Sequence, residues 1–204
     1  MSSHTNGHDR RIHKSKSALK ESLLSLIQEN DFRGITITDI VNRANLNRGT
    51  FYKHYQYKED LMDEIINDVM ADLVASYRDP YRDIEIFEIK YLTSSAIKIF
   101  EHVHHHSDFY TLILKTNQLY YLQNRVCSEL KKLFLYDFSS TQFSPTLNGE
   151  ILASYQAHAI FGIMTEWIHG GFKHSPDYMA QQLLEIANYS TSDGIFKINT
   201  DVNN

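Results

Sequence analysis

Apolar side chains recur at every third, fourth or seventh position over most of this chain, and little interrupts them. Across residues 12–29 the series is Ile12, Leu19, Leu23, Leu26 and Ile27; a second series runs Leu61, Ile65, Ile66, Val69, Leu73 and Val74. Each is one stripe of an amphipathic helix. Three prolines and eight glycines in 204 residues leave few places where a helix must stop. No useful stretch shows the two-residue alternation of a half-buried strand. The pattern predicts an all-α chain with helices over 12–29, 37–44, 47–55, 58–77, 84–103, 107–114, 118–136, 147–169 and 176–189. Asp79-Pro80 breaks one of them, the Ser- and Thr-rich stretch 139–145 reads as a loop, and Gly170-Gly171 stops another. Ser175 is placed to cap the last helix with Pro176 at its first position.

The most informative local pattern lies between the first two long stripes. Asn30 and Asp31 are residue types that take the left-handed conformation and end a helix. Thr36 and Asp39 have the spacing of a capping box, the hydroxyl taking one amide and the carboxylate returning to another. Ile37, Ile40, Val41 and Ala44 then face inward, Asn45-Leu46 makes a short turn, and Asn47 caps the next helix. Two short helices joined by such a turn form a helix-turn-helix. On the second helix Phe51 and Tyr55 share the inner face, whereas Gly49, Thr50, Tyr52 and Lys53 project away from it. The outward set suits DNA: Arg48 for a bidentate guanine contact, Thr50 for a base edge or thymine methyl, and Lys53 for a base or phosphate. Tyr52 and His54 suit phosphate, and Lys58 stands where the next helix begins.

Charge permits this reading without compelling it. Residues 1–60 carry 10 Lys/Arg against 7 Asp/Glu, and residues 61–204 carry 10 against 18. A positive head on a negative body suits a head that meets a polyanion. Arg10, Arg11, Lys14, Lys16 and Lys20 crowd the start of the first helix, where they oppose its dipole and so serve either solvation or phosphate contact.

The stretch 36–61 resembles the DNA-binding head of the tetracycline-repressor (TetR) family. Thr36, Asp39-Ile40-Val41, Ala44-Asn45-Leu46-Asn47, Thr50-Phe51-Tyr52, Tyr55 and Lys58-Glu59-Asp60-Leu61 fall in register with its motif. Asn45 stands for the usual Gly, Asp31 for the Gly that ends the first helix, and Tyr55 for Phe; Asn and Asp are the non-Gly residues best suited to positive φ. The resemblance implies a DNA-binding head over 10–57 and a helical ligand-binding and dimerisation domain over 58–190, with flexible termini at 1–9 and 191–204. It implies that Thr36, Tyr52, His54 and Lys58 hold phosphates and that Thr38, Arg48, Gly49, Thr50 and Lys53 face bases, with Asn47 opening the recognition helix. Expected partners are a palindromic duplex operator, a second copy of the chain and a small-molecule inducer.

The run from Phe161 through Trp167, Gly170-Gly171 and Phe172 to Ser175-Pro176 is similar to the C-terminal region of one TetR subgroup. By family expectation an effector pocket lies between the middle helices, where Phe100, His104, Phe109, Tyr110, Ile113, Tyr121, Tyr155, His158 and Trp167 are candidates and core packing is the competing role. His102 and His106 have the i, i+4 spacing of a metal pair, but no Glu or Cys falls on their face; the reading is a solvated or partly packed cluster with no metal and no cofactor. Cys127 stands alone, which fits a reducing cytoplasm and a small buried side chain. No apolar run approaches the ~20 residues that span a bilayer, and the N-terminus has no apolar stretch of the secretory kind. Phosphate loops, nucleophile elbows and paired-His metalloprotease helices are absent from the sequence, so an enzyme is not expected. The alternative is a helical co-activator or adaptor acting through a protein partner.

Overall fold

The computed structural model describes residues 4–81, 93–94, 97–114, 119–137 and 147–189, with no strand among them. Helix α1 (His4–Glu29) starts ahead of its apolar stripe and buries Leu19, Leu23, Leu26 and Ile27. A 3-10 turn, Phe32–Gly34, follows. Asp31 at its start has φ −64°, not the left-handed value its residue type suggested. Its carboxylate accepts from the Arg33 amide at 2.9 Å, so the chain turns by side-chain capping and needs no positive φ.

Helix α2 (Ile37–Arg43) opens on the expected capping box. Thr36 Oγ1 accepts from the Asp39 amide at 3.2 Å, and Asp39 Oδ2 accepts from the Thr36 amide at 2.8 Å. The turn that follows places Asn45 at φ +52°, the left-handed region where Asn is tolerated. Asn47 Oδ1 then accepts from the Thr50 amide at 2.8 Å and starts helix α3 (Arg48–Tyr52). This helix is shorter than the predicted 47–55. Asp60 accounts for the difference: its Oδ2 accepts from the amides of Gln56 (2.9 Å) and Tyr57 (2.8 Å) and draws the chain into the next helix. The Tyr55 amide still donates to Phe51 O at 3.0 Å, so Phe51 and Tyr55 remain one turn apart, both buried, with ring centres 5.5 Å apart. They anchor α3 as the sequence implied. Truncating a buried Phe of this kind costs about 3–5 kcal/mol.

Helix α4 (Lys58–Arg78) is shared by head and body. It buries Leu61, Met62, Ile65, Ile66, Val69, Met70 and Leu73 and packs on α1, on α5 (Ile99–His105) and on α7 (Leu119–Asp137). Of the helix predicted over 84–103, residues 93–94 and 97–103 are described, and among them the α-helix begins only at Ile99. Helix α6 (Ser107–Leu114) touches α1, α5, α7 and α8 (Gly149–His169). The longest packed seam is that of α7 against α8, while α5 lies against α9 (Pro176–Asn188).

The C-terminal turn follows its sequence signals. Gly170 donates to Glu166 O at 2.9 Å, Gly171 has φ +72° and Phe172 φ +55°, and Ser175 Oγ accepts from the Tyr178 amide at 3.2 Å. Trp167 holds the turn in place: its indole N–H donates to His174 O at 3.0 Å, and its ring lies 4.9 Å from Phe172 and 5.6 Å from Phe100, both edge-on. Cys127 is buried, as expected. The predicted loop at 139–145 and the tail from 191 lie outside the described residues. Among those residues no helix is long and apolar enough to cross a membrane.

Candidate nucleic-acid interface

Helix α3 presents Arg48, Gly49, Tyr52 and Lys53 to solvent, and Tyr52 is 57% exposed despite its apolar ring. An aromatic ring left in water on a helix whose other face is fully buried is a contact surface without its partner. Thr38 of α2 belongs to the same surface, because the Arg48 guanidinium donates to its hydroxyl. That bond holds Arg48 over the groove between α2 and α3. Thr50 is half-buried; its hydroxyl donates to Asn47 Oδ1 at 3.1 Å, so its methyl is the part left to meet a base. Asn47 spends its Oδ1 on the cap and is itself exposed. Gly49 leaves room for the cap, since a Cβ there would stand 3.2 Å from Asn47 Oδ1. A side chain at 49 would press on the cap that starts the helix. The surface thus gathers Thr38, Arg48, Gly49, Thr50, Tyr52 and Lys53 on one side of the head.

Three predicted phosphate contacts sit differently. Lys58 turns inward: its ammonium donates to Phe32 O (2.7 Å), Ile35 O (2.7 Å) and Arg33 O (3.1 Å), and lies 4.7 Å from the centre of the Phe32 ring. All three N–H donors are used on backbone carbonyls of the 3-10 turn and its exit, and none remains for a phosphate. Lys58 is a clip between α4 and the α1–α2 connection. His54 also turns inward, with Nε2 3.1 Å from Ser15 Oγ on α1, and burial followed by the nearby Lys16 ammonium lowers its pKa. A neutral imidazole docked on α1 is a poor phosphate ligand. Thr36 stays exposed but donates its hydroxyl to Asp39 Oδ2 at 2.7 Å.

The cations at the start of α1 divide in the same way. Arg10, Arg11 and Lys14 are exposed. Lys16 and Lys20 are each 2.6 Å from Glu64 on α4, and Lys20 also reaches Asp68 at 2.5 Å. Burial raises the Glu64 pKa, but hydrogen bonds from Lys16 and Lys20 outweigh it and carry the carboxyl down to about 2. This ion cluster ties the first helix of the head to α4, and Tyr55, whose pKa is raised by burial and by Glu64, lies beneath it.

The nine candidates for an effector pocket do not gather around one opening. Phe100, Phe109, Tyr110, Ile113 and Trp167 are buried among their neighbours, and His104, Tyr121, Tyr155 and His158 are exposed. His104 stacks on the Trp167 edge of the Phe100 cluster. Tyr155 and His158 line an open groove of about 740 Å3 along α8, with Lys131 from α7, Glu150, Ile151, Ser154 and Ala159.

A helix-turn-helix with an exposed basic and tyrosine-bearing second helix, carried by a long helix into an all-helical body, defines a class of transcriptional regulator. The comparisons name the family. Residues 21–65 match the family model described as bacterial regulatory proteins, tetR family, and residues 90–189 match a transcriptional regulator C-terminal region. The chain belongs to the TetR family. An uncharacterized HTH-type transcriptional regulator, YxbF of Bacillus subtilis, is 21% identical over 84% of this chain and 44% of its own length. The HTH-type transcriptional repressor KstR2 of Mycobacterium tuberculosis is 27% identical over 47% of each. The chain thus spans less than half the length of these two relatives. The HTH-type dhaKLM operon transcriptional activator DhaS of Lactococcus lactis is 26% identical over 78% of this chain and 85% of its own. A solved TetR transcriptional regulator from Streptococcus agalactiae superposes with a TM-score of 0.63 at 23% identity, covering 89% of this chain and 98% of that one. A second, from Syntrophomonas wolfei, gives 0.67 at 16% identity over 92% and 99%. These two show the shared fold.

Proposed function

We propose that this regulator binds a palindromic duplex operator as a homodimer, represses from it, and releases it when a small molecule binds the helical body. The observation that carries the reading is the solvent-facing set on α3, with Arg48 steadied by Thr38 and Tyr52 largely in water beyond its edge contact with Phe51. Arg48 reads guanine, Thr50 and Gly49 allow close approach, and Tyr52 and Lys53 take phosphates. A second copy is supported by the outer faces of α8 and α9. Ile151 and Tyr155 on α8, and Tyr178, Ile186 and Tyr189 on α9, leave apolar surface in water. Gly162 on the same α8 face has nothing within 4 Å of where a Cβ would stand, which lets a helix come close. Two heads related by a two-fold axis favour half-sites about one helical turn, ~34–36 Å, apart.

Effector response is assigned to α4, which follows the helix-turn-helix directly and packs on α1 and also on α5 and α7. The effector must bind the state that cannot hold DNA more tightly than the state that can. Repression agrees with the KstR2 relative, although the DhaS relative is named an activator. Selection from a random duplex pool tests the reading. The expected product is an inverted repeat whose half-sites lie one turn apart, with Arg48→Ala relaxing one position in each half. Recovery of no enriched sequence, or of a single asymmetric half, would overturn it. A promoter–reporter fusion then reads repression directly, and a fall in expression on loss of the protein would reverse that assignment.

A further inference from the structure

The histidine run after Phe100 does not behave as one solvated cluster. His104 and His105 are exposed, His106 is half-buried, and His102 is buried with its side chain fully closed to solvent. His102 and His106 face α4, where both rings meet one carboxylate oxygen. Asp72 Oδ2 lies 2.9 Å from His102 Nδ1 and 2.9 Å from His106 Nε2. No acidic partner for these two rings stands on the helix that carries the histidines. The partner stands 30 residues earlier, on another helix.

We propose that Asp72, His102 and His106 form a divalent transition-metal site that clamps α4 to the C-terminal end of α5. Two imidazoles and one carboxylate are the donor set of zinc-class ions, which take three protein ligands and keep a fourth position for water. The three ligand atoms already lie within 4.8 Å of one another. Tetrahedral bonds of ~2.1 Å need donor atoms about 3.4 Å apart. The two His–Asp contacts at 2.9 Å must open to that spacing and the two imidazole nitrogens must settle at it; Asp72, whose side chain is 53% exposed, has solvent to move into. His102 carries the support a ligating imidazole needs: its second nitrogen, Nε2, lies 3.0 Å from the buried Tyr110 hydroxyl. Without metal, Nδ1–H donates to Asp72 and the Tyr110 hydroxyl donates to Nε2. With metal on Nδ1, the ring proton moves to Nε2 and the Tyr110 hydroxyl oxygen accepts it. The last carbonyls of α5, whose C-cap is His106, add negative potential beside the site.

The site is independent of what the head binds, and its test uses no DNA. Purified full-length protein is stripped with chelator, titrated with Co2+ alone and followed by visible d–d absorption, with Zn2+ as the displacing ion. The expected result is one site per chain with the intense bands of four- or five-coordination, abolished by Zn2+. His106→Ala and Asp72→Asn should remove the bands, with circular dichroism confirming that both variants remain helical. Tyr110→Phe keeps the packing and should weaken Co2+ about 10- to 100-fold, the usual effect of removing a ligand's support. The exposed His13→Ala and His169→Ala should leave the titration unchanged. A spectrum no different from that of free Co2+, or bands that survive in folded His106→Ala and Asp72→Asn, would overturn the assignment and leave a hydrogen-bonded triad.

Discussion

Replacing Lys58 with alanine distinguishes a structural clip from a phosphate contact, because the two roles predict opposite results. The ammonium makes three hydrogen bonds to the carbonyls of Phe32, Arg33 and Ile35 and sits over the Phe32 ring. Hydrogen bonds to a charged group contribute roughly 1.5–3 kcal/mol, and a partly exposed cation–π contact about 0.5–1 kcal/mol. The side chain is half-buried, so solvent replaces part of this in the variant. A loss of about 2–4 kcal/mol is expected, and it falls on the α1–α2 connection, not on the body. At 1.36 kcal/mol per factor of ten, amides of residues 30–36 whose exchange proceeds through local opening should exchange roughly 30- to 1000-fold faster in hydrogen–deuterium exchange of the full chain. Amides in α7 and α8 should be unaffected. The salt dependence of DNA binding should keep its slope, since no phosphate contact is lost. Unchanged exchange at 30–36 together with a log K versus log salt slope shallower by about 1 would refute the clip and restore Lys58 as a phosphate ligand.

The Glu64 cluster predicts an acid limb of stability. Its folded pKa, about 2, lies below the ordinary 4.5, so its contribution is complete above pH 4.5 and is lost as pH falls towards 2. Allowing for partial exposure, the loss is about 2 kcal/mol; Glu64→Gln should remove that part of the pH dependence in urea denaturation, and an unchanged curve would reject it. At the α2–α3 turn, Asn45→Ala should cost about 1–2 kcal/mol because φ is +52°, whereas Asn45→Gly should cost little; equal midpoints for the two would count against strain there. Gly49→Ala should lower both head stability and DNA affinity through pressure on the Asn47 cap, read by exchange at α3 and by fluorescence anisotropy. Ile151→Glu with Tyr155→Glu should shift the chain to monomer in sedimentation if α8 carries the two-fold contact.

What could be read from the sequence, and what could not, follows from how far apart the partners stand. The capping box of Thr36 and Asp39, the Asn47 cap, the left-handed Asn45 and the buried pair Phe51 and Tyr55 all depend on residues within four positions of each other. Residue type and spacing determine such features. Lys58, His54, Lys16 and Asp72 depend on partners 23 to 48 residues away. Which way those side chains turn is set by the rotation and register of two helices packed together, and neither is written in local spacing. Lys58 and His54 therefore looked like free surface groups beside a DNA-reading helix. Asp31 failed for a different reason: Asp serves both as a left-handed residue and as a cap, and the amide of Arg33 selected the cap. The pocket candidates rest on a family expectation and on residue type, and neither says which of them the packing buries and which it leaves on the surface.

The central claim is that the exposed face of α3 reads duplex DNA, and a salt titration of binding tests it most directly. Fluorescence anisotropy with the selected duplex, for the wild-type protein and for Arg48→Ala, Tyr52→Phe and Lys53→Ala, gives affinity and slope together. The account predicts a steep negative slope for the wild type, close to −0.9 per phosphate neutralised. Lys53→Ala should make the slope shallower by about 1, and Tyr52→Phe should weaken binding equally on selected and random duplex. Arg48→Ala should cost about 1–3 kcal/mol on the selected duplex and little on random DNA. Binding that is insensitive to salt, or that survives all three substitutions undiminished, would contradict the claim and move the contact to another surface.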